Sequence, residues 1–203
     1  MLIPDTFLIT DGSGELARIH GIISAALDGG VRGIQVREPS LSARQLCALC
    51  ADLKPRIDAC GGVLVVNDRA DVVAAGLAHG VQLGHRSLRP EAARRFLPRS
   101  AIIGCSVHDL SQIQEAVDAD FVVLAPLFAT GSKPGAEPLG LSRARELVSA
   151  SLLPVILLGG IDASNAGSAR EIGASGVAVM SAVCDASDPR SAAAALVATR
   201  IDS

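Results

Sequence analysis

Two turns near the end of the chain carry the residue types that bind a phosphate. One is Leu157-Leu158-Gly159-Gly160-Ile161, an apolar run closing on a glycine pair; the other is Gly176-Val177-Ala178-Val179-Met180-Ser181, closing on a small hydroxyl residue. Paired glycines let main-chain N–H groups approach an anion because no Cβ intervenes, and a following helix aims its unpaired N–H groups at the same oxygens. Ser181 adds a hydroxyl donor. The predicted ligand is therefore phosphorylated.

Polar residues gather after the other apolar runs as well: Gln35 with Arg37 and Glu38, Asn67-Asp68-Arg69, Gly84-His85-Arg86-Ser87, Ser106 with His108, and Thr130-Gly131-Ser132-Lys133. Gln35 and Arg37 share one strand face by the period of two, which favours a site role over a solvated Arg37–Glu38 pair. Asn67 and Asp68 suit a helix cap as well as a ligand contact, and His108 also suits a helix N-terminus. Lys133, beside Thr130 and Ser132 in a loop rich in Gly, Ser and Pro, has the makings of an anion clamp that closes over substrate.

These groups need a scaffold that brings strand ends together. Short β-branched runs at 7–10, 33–36, 63–66, 80–83, 101–105, 121–124, 154–158 and 176–180 alternate with amphipathic segments starting near Gly14, Ser42, Arg69, Pro90, Leu110, Leu141, Ser164 and Pro189. Ser42, Asp109 and Asp188 are the expected N-caps or first-turn residues. Runs such as Val63-Leu64-Val65-Val66 are apolar throughout, as in a parallel sheet covered on both faces. The prediction is an α/β fold, a single-domain (β/α)8 TIM barrel over residues 1–203, with short loops and minimal helices. Its active face lies at the C-terminal strand ends, and its phosphate turns follow strands seven and eight. The connection from 128 to 139 is the one long loop. The competing architecture is an open doubly wound sheet, for which Gly12-Ser13-Gly14-Glu15-Leu16-Ala17 approximates a dinucleotide fingerprint with Glu38 following. Asp11 and Glu15 oppose it, since both place carboxylates where a pyrophosphate must approach.

Composition narrows the partners. Hydrophobic residues make up 49% of the 203 residues but aromatic ones only 2%, so base-stacking surfaces are scarce. A net charge of −3 from 18 basic and 21 acidic residues provides no bulk attraction to nucleic acid or anionic lipid. No apolar run reaches membrane-spanning length. Five cysteines, an odd number without a signal-like N-terminus, fit a reducing cytoplasm. Cys47-x-x-Cys50 reads as two packed helical side chains, because no second Cys/His pair at zinc spacing follows it. Assembly into a homo-oligomer is left open.

In order along the chain, the motifs resemble those of the thiamine phosphate synthase and TenI superfamily. Ile34-Gln35-Val36-Arg37-Glu38 is similar to its Gln-x-Arg-Glu-Lys segment, Asn67-Asp68-Arg69 to Asn-Asp-Arg, and Gly80-Val81-Gln82-Leu83-Gly84 to Gly-Val-His-Leu-Gly. Gly104-Cys105-Ser106-Val107-His108 is similar to Gly-x-Ser-x-His, and the segment from Ala125 to Lys133 to Gly-Pro-Val-Phe-x-Thr-x-Thr-Lys. The resemblance implies a barrel transferase that joins hydroxymethylpyrimidine diphosphate to thiazole phosphate, giving thiamin phosphate and diphosphate. It assigns the diphosphate substrate to Gln35, Arg37 and Asn67, Mg²⁺ to Asp68, leaving-group neutralisation to Lys133, and a place near the reacting diphosphate to Ser106. Thr130, Ser132, Gly160, Met180 and Ser181 would position the thiazole phosphate.

Two departures bear on that assignment. Pro39 stands where the family has a lysine after Arg-Glu, and Ser87 where it has a second magnesium carboxylate. Mg²⁺ is then expected to bind weakly or only with substrate, and Arg86 or His85 is the candidate substitute for the missing groups. The same losses resemble TenI-type thiazole tautomerases, the first alternative, although the histidine those enzymes use falls at Pro126. A non-catalytic paralogue that binds thiazole phosphate or thiamin phosphate is the second.

Overall fold

The computed structural model describes residues 2–131 and 135–200. Its strands are β1 (Thr6–Ile9), β2 (Gly33–Val36), β3 (Val63–Asn67), β4 (Gly80–Leu83), β5 (Ile102–Val107), β6 (Phe121–Leu124), β7 (Val155–Leu158) and β8 (Gly176–Val179). They pair in sequence order, all parallel, and β8 returns to β1 with Leu8 opposite Val179, closing a barrel. The doubly wound alternative is thereby overturned: both edges of the sheet are consumed by closure.

The helices are α1 (Leu16–Asp28), α2 (Ala43–Ala59), α3 (Ala70–Ala74), α4 (Pro90–Arg94), α5 (Leu110–Glu115), α6 (Gly140–Ala150), α7 (Ala166–Glu171), α8 (Ser181–Cys184) and α9 (Pro189–Ala198). The expected start signals operate. Ser42 and Gln45 form a capping box on α2, Asp109 accepts from the Gln112 N–H at 2.9 Å, and Asp188 accepts from the Ser191 N–H at 3.2 Å. Pro90 and Pro189 sit in first turns, where the missing N–H costs nothing.

The period of two splits each strand between two cores. Outward residues such as Leu8, Ile34, Leu64, Val81 and Ile103 pack under the helices. Inward residues, among them Phe7, Val63, Ile102, Phe121 and Ile156, fill the barrel, and the Phe7 and Phe121 rings stack at 5.7 Å. That stacked pair contributes about 0.5–1.5 kcal/mol beyond its buried area. The plug closes the lower barrel, so the open end is the one carrying the C-terminal strand ends. Among the described residues no helix is long and apolar enough to cross a membrane.

Candidate active site

A cavity of about 570 Å³ opens at that end. Inward alternation delivers Gln35, Asn67, Gln82 and Ser106 to its upper layer from four consecutive strands, β2 to β5. The amides interlock: Gln35 Nε2 donates to Asn67 Oδ1 at 3.2 Å, Asn67 Nδ2 to Asp68 Oδ2 at 2.6 Å, and Gln82 Nε2 to Ser106 Oγ at 3.0 Å. Because Ser106 Oγ accepts from Gln82, its own proton remains available for the cavity.

Asp68 adopts φ 62°, a left-handed conformation that aspartate tolerates better than most residues, and its N–H donates to the Gln82 carbonyl at 3.0 Å. Its Oδ1 accepts from the Ser87 hydroxyl. Asn67 and Asp68 make no side-chain cap on α3, whose N-cap is Arg69. Of the two readings the sequence allows, the structure excludes the cap and places both residues in the cavity lining. Arg69 itself turns away to Asp71, at 2.8 and 2.5 Å.

Arg37 and Glu38 are not a pair. Arg37 is exposed in the cavity wall, whereas Glu38 is 5% exposed and accepts from the N–H groups of Gly12 and Gly14 at 3.3 and 2.8 Å. The glycine loop resembling a dinucleotide fingerprint is thus filled by the chain's own carboxylate. Asp11, also in the wall, is held by Arg18 Nε at 3.1 Å and Nη2 at 2.9 Å. Burial acts to raise its carboxyl, and the Arg18 and Ser13 hydrogen bonds outweigh that, leaving it below the usual range.

His108 is no helix cap either. Its Nδ1 lies 2.6 Å from the Ala125 carbonyl, which can only accept, so Nδ1 carries a hydrogen and donates to it.

The opposite side of the cavity is made of backbone. Gly159, Gly160, Met180 and Ser181 all line it, as the phosphate-cup expectation requires. Gly160 has φ 63°, and a Cβ there would lie 2.9 Å from Phe128 Cβ and collide with the Ala129 carbonyl. Among the described residues the N–H groups of Gly160 and Ile161 donate to nothing within the protein. Ser181 opens α8, a single turn that the sequence reading missed, since four residues display no period. Such a short extra helix is a recurring part of barrel phosphate sites. Thr130 lines the cavity, and Ser132 and Lys133 lie outside the described residues.

Gln82 is the lining residue the sequence reading passed over. It is 2% exposed, and its Oε1 has no partner among the described residues. A Cβ on Gly104 would collide with that oxygen and with the Phe121 ring, so the glycine makes room for the amide. An amide in the otherwise apolar β4 run, two residues after the inward Gly80, was the available signal. The cysteine pair behaves as packing: Cys50 is fully buried, and burial foremost, with Cys47 adding, pushes its thiol up to about 12.

The profile described as thiamine monophosphate synthase (TMP-TENI) matches residues 6–183. A thiamine-phosphate synthase of Roseiflexus sp. (strain RS-1) is 43% identical over 195 residues, spanning 94% of this chain and 82% of that protein. One of Methanoculleus marisnigri is 38% identical, spanning 95% and 93%. A thiamine phosphate pyrophosphorylase structure from Pyrococcus furiosus superposes with TM-score 0.85 at 32% identity, covering 96% and 94%. With the family model spanning residues 6–183 and relatives this similar over nearly the whole chain, the chain belongs to the thiamine monophosphate synthase family.

Proposed function

We propose that this chain is a transferase of thiamin biosynthesis that joins hydroxymethylpyrimidine diphosphate to thiazole phosphate, forming thiamin phosphate and releasing diphosphate. One observation carries the reading: a single cavity has two unlike anion-recognising sides, a main-chain cup at β7–β8 and an arc of amides, hydroxyl and guanidinium at β2–β5. A reaction between two phosphorylated partners needs both.

In this reading the C–O bond to the diphosphate breaks first, its electron pair leaving with the diphosphate and the pyrimidine methylene becoming a resonance-stabilised cation. The thiazole nitrogen then donates its lone pair to form the C–N bond. No proton has to be removed from that nitrogen, so catalysis consists of holding the partners in line and stabilising negative charge on the departing group. Arg37, with Lys133 from the loop, bears on that charge. Gln35 and Asn67 orient the diphosphate substrate, and Ser106 donates towards it. Gly160, Met180 and Ser181, with Thr130 and Ser132, hold the thiazole phosphate.

Mg²⁺ fits in one form only. Among the described residues no three His, Cys, Asp or Glu side chains converge on a metal position. Asp68 has one hydrogen bond on each oxygen, which leaves acceptor capacity on both. One carboxylate suffices when substrate phosphates complete the coordination. Asp68 would hold an ion arriving with the diphosphate, and that ion would offset charge on the leaving group.

The thiazole isomerisation lacks a proton-transfer group at Pro126, which lines the cavity without a titratable atom. Incubating the protein with both substrates and Mg²⁺ is expected to yield thiamin phosphate and diphosphate in equal amounts. Tight binding of thiazole phosphate with no product would replace this reading by the non-catalytic one.

A further inference from the structure

We infer that the β4–α4 turn is a second diphosphate-binding element, in which Arg86 grips the diphosphate together with Arg37 directly, so that diphosphate binding survives removal of Mg²⁺. The inference rests on the proposed reading of the β2–β5 side as the diphosphate end.

The turn is locked in place. Residues 84–87 close it through the Ser87 N–H to the Gly84 carbonyl at 3.0 Å and the Gly84 N–H to Ser87 Oγ at 2.7 Å. The one Ser87 hydroxyl proton goes to Asp68 Oδ1, tying the turn to the neighbouring β3 end. Ser87 is therefore occupied as a clamp. His85 and Arg86 take the two central positions, both exposed and both lining the cavity.

The two guanidinium groups of the rim have no carboxylate partner among the described residues. Of the two carboxylates in the lining, Asp11 is engaged by Arg18, and Asp68 accepts from the neutral donors Asn67 and Ser87. Arg37 and Arg86 form no ion pair among the described residues, whereas Arg18, Arg69 and Arg94 each have a carboxylate partner. In barrel order the rim reads Arg37 after β2, Asp68 after β3 and Arg86 in the turn after β4. Two guanidinium groups flanking one carboxylate leave a net positive arc. Their planar forks match phosphate oxygens two at a time, as a point-like ammonium does not. Diphosphate, with two linked phosphate groups and several negative charges, is the complement of that arc.

The test is calorimetric titration of inorganic diphosphate into the intact protein, in Mg²⁺ and separately in EDTA. Wild type is expected to bind in EDTA. Arg86→Ala should weaken that binding by about tenfold or more, the effect of losing a charge-assisted contact. Arg86→Lys should recover part of it, and both variants should bind thiazole phosphate as wild type does. Ser87→Asp, which sets a second carboxylate beside Asp68, should lower affinity in EDTA and make binding depend on Mg²⁺. The inference is overturned if wild type binds diphosphate only with Mg²⁺, or if Arg86→Ala melts normally and binds it unchanged in EDTA. Thiamin phosphate formation alongside an unchanged Arg86→Ala affinity removes this inference and leaves the synthase reading. Arg86-dependent diphosphate binding without product does the reverse.

Discussion

The β7–β8 side of the cavity presents main-chain groups, and the β2–β5 side presents side chains. A main-chain cup depends on backbone path, so a substitution there acts through conformation and reaches the fold. A side-chain arc stands on strands whose outward faces are already secured under the helices, so its members can change without disturbing the barrel. On the proposed reading, recognition of the common phosphate and handling of the leaving group would be separable within one cavity.

The largest break in that contrast is expected from Gly160→Val. A β-branched residue at φ 63° is strained, and its Cβ meets Phe128 and Ala129. Strain of this kind costs about 1–3 kcal/mol before any clash is counted. The variant should lose measurable thiazole phosphate binding and melt well below wild type, which calorimetry and a thermal scan would record together. Normal melting with intact affinity would mean that the cup does not depend on this turn.

Arg37→Ala should separate the two sides more cleanly. Arg37 is exposed and unpaired among the described residues, so the melting temperature and thiazole phosphate affinity should hold. Turnover should fall about 10²-fold, as when one preorganised donor to developing charge is lost. A fall in thiazole phosphate affinity of similar size would place Arg37 on the wrong side of the cavity.

What the sequence made legible follows the same division. The strands β2, β4 and β6 begin and end where the apolar runs do, and the cup was readable because glycine pairs and strand ends are local signals. β5 extends through Ser106 to Val107, two residues beyond the apolar run, since an inward polar residue in the upper layer looks like a loop residue in one dimension. Adjacency groups Glu38 with Gln35 and Arg37, yet its partners are Gly12 and Gly14, on the β1–α1 loop. In the sequence Ser87 is one of the polar residues after the fourth apolar run and stands where the family has a carboxylate. That its hydroxyl joins two loops depends on the β3–β4 register, which pairs Asn67 with Gln82 and no local pattern encodes.

The smallest effect belongs to the far end of the barrel and tests whether the rim is insulated from it. His79 precedes β4; its Nδ1 accepts from the Leu64 N–H at 2.9 Å, and its Nε2 meets Asp58 Oδ1 at 2.8 Å. Burial first, and Lys54 second, push its pKa below the ordinary value of 6.5, with Asp58 opposing them. A histidine whose folded pKa is depressed binds fewer protons folded than unfolded in the interval between the two values, so stability rises with pH there. This contribution is complete above about pH 6.5 and is lost as pH falls through the folded value. Asp58 is lowered, first by its Lys54 hydrogen bond, which moves its own titration away from this window. His79 should therefore contribute to wild type melting lower at pH 5 than at pH 7.5. His79→Gln, whose amide oxygen still accepts from Leu64 without titrating, should lose that part of the slope. Equal slopes in the two proteins would remove His79 from the account. Thiazole phosphate affinity measured at one pH should match between them, because neither His79 nor Asp58 lines the cavity.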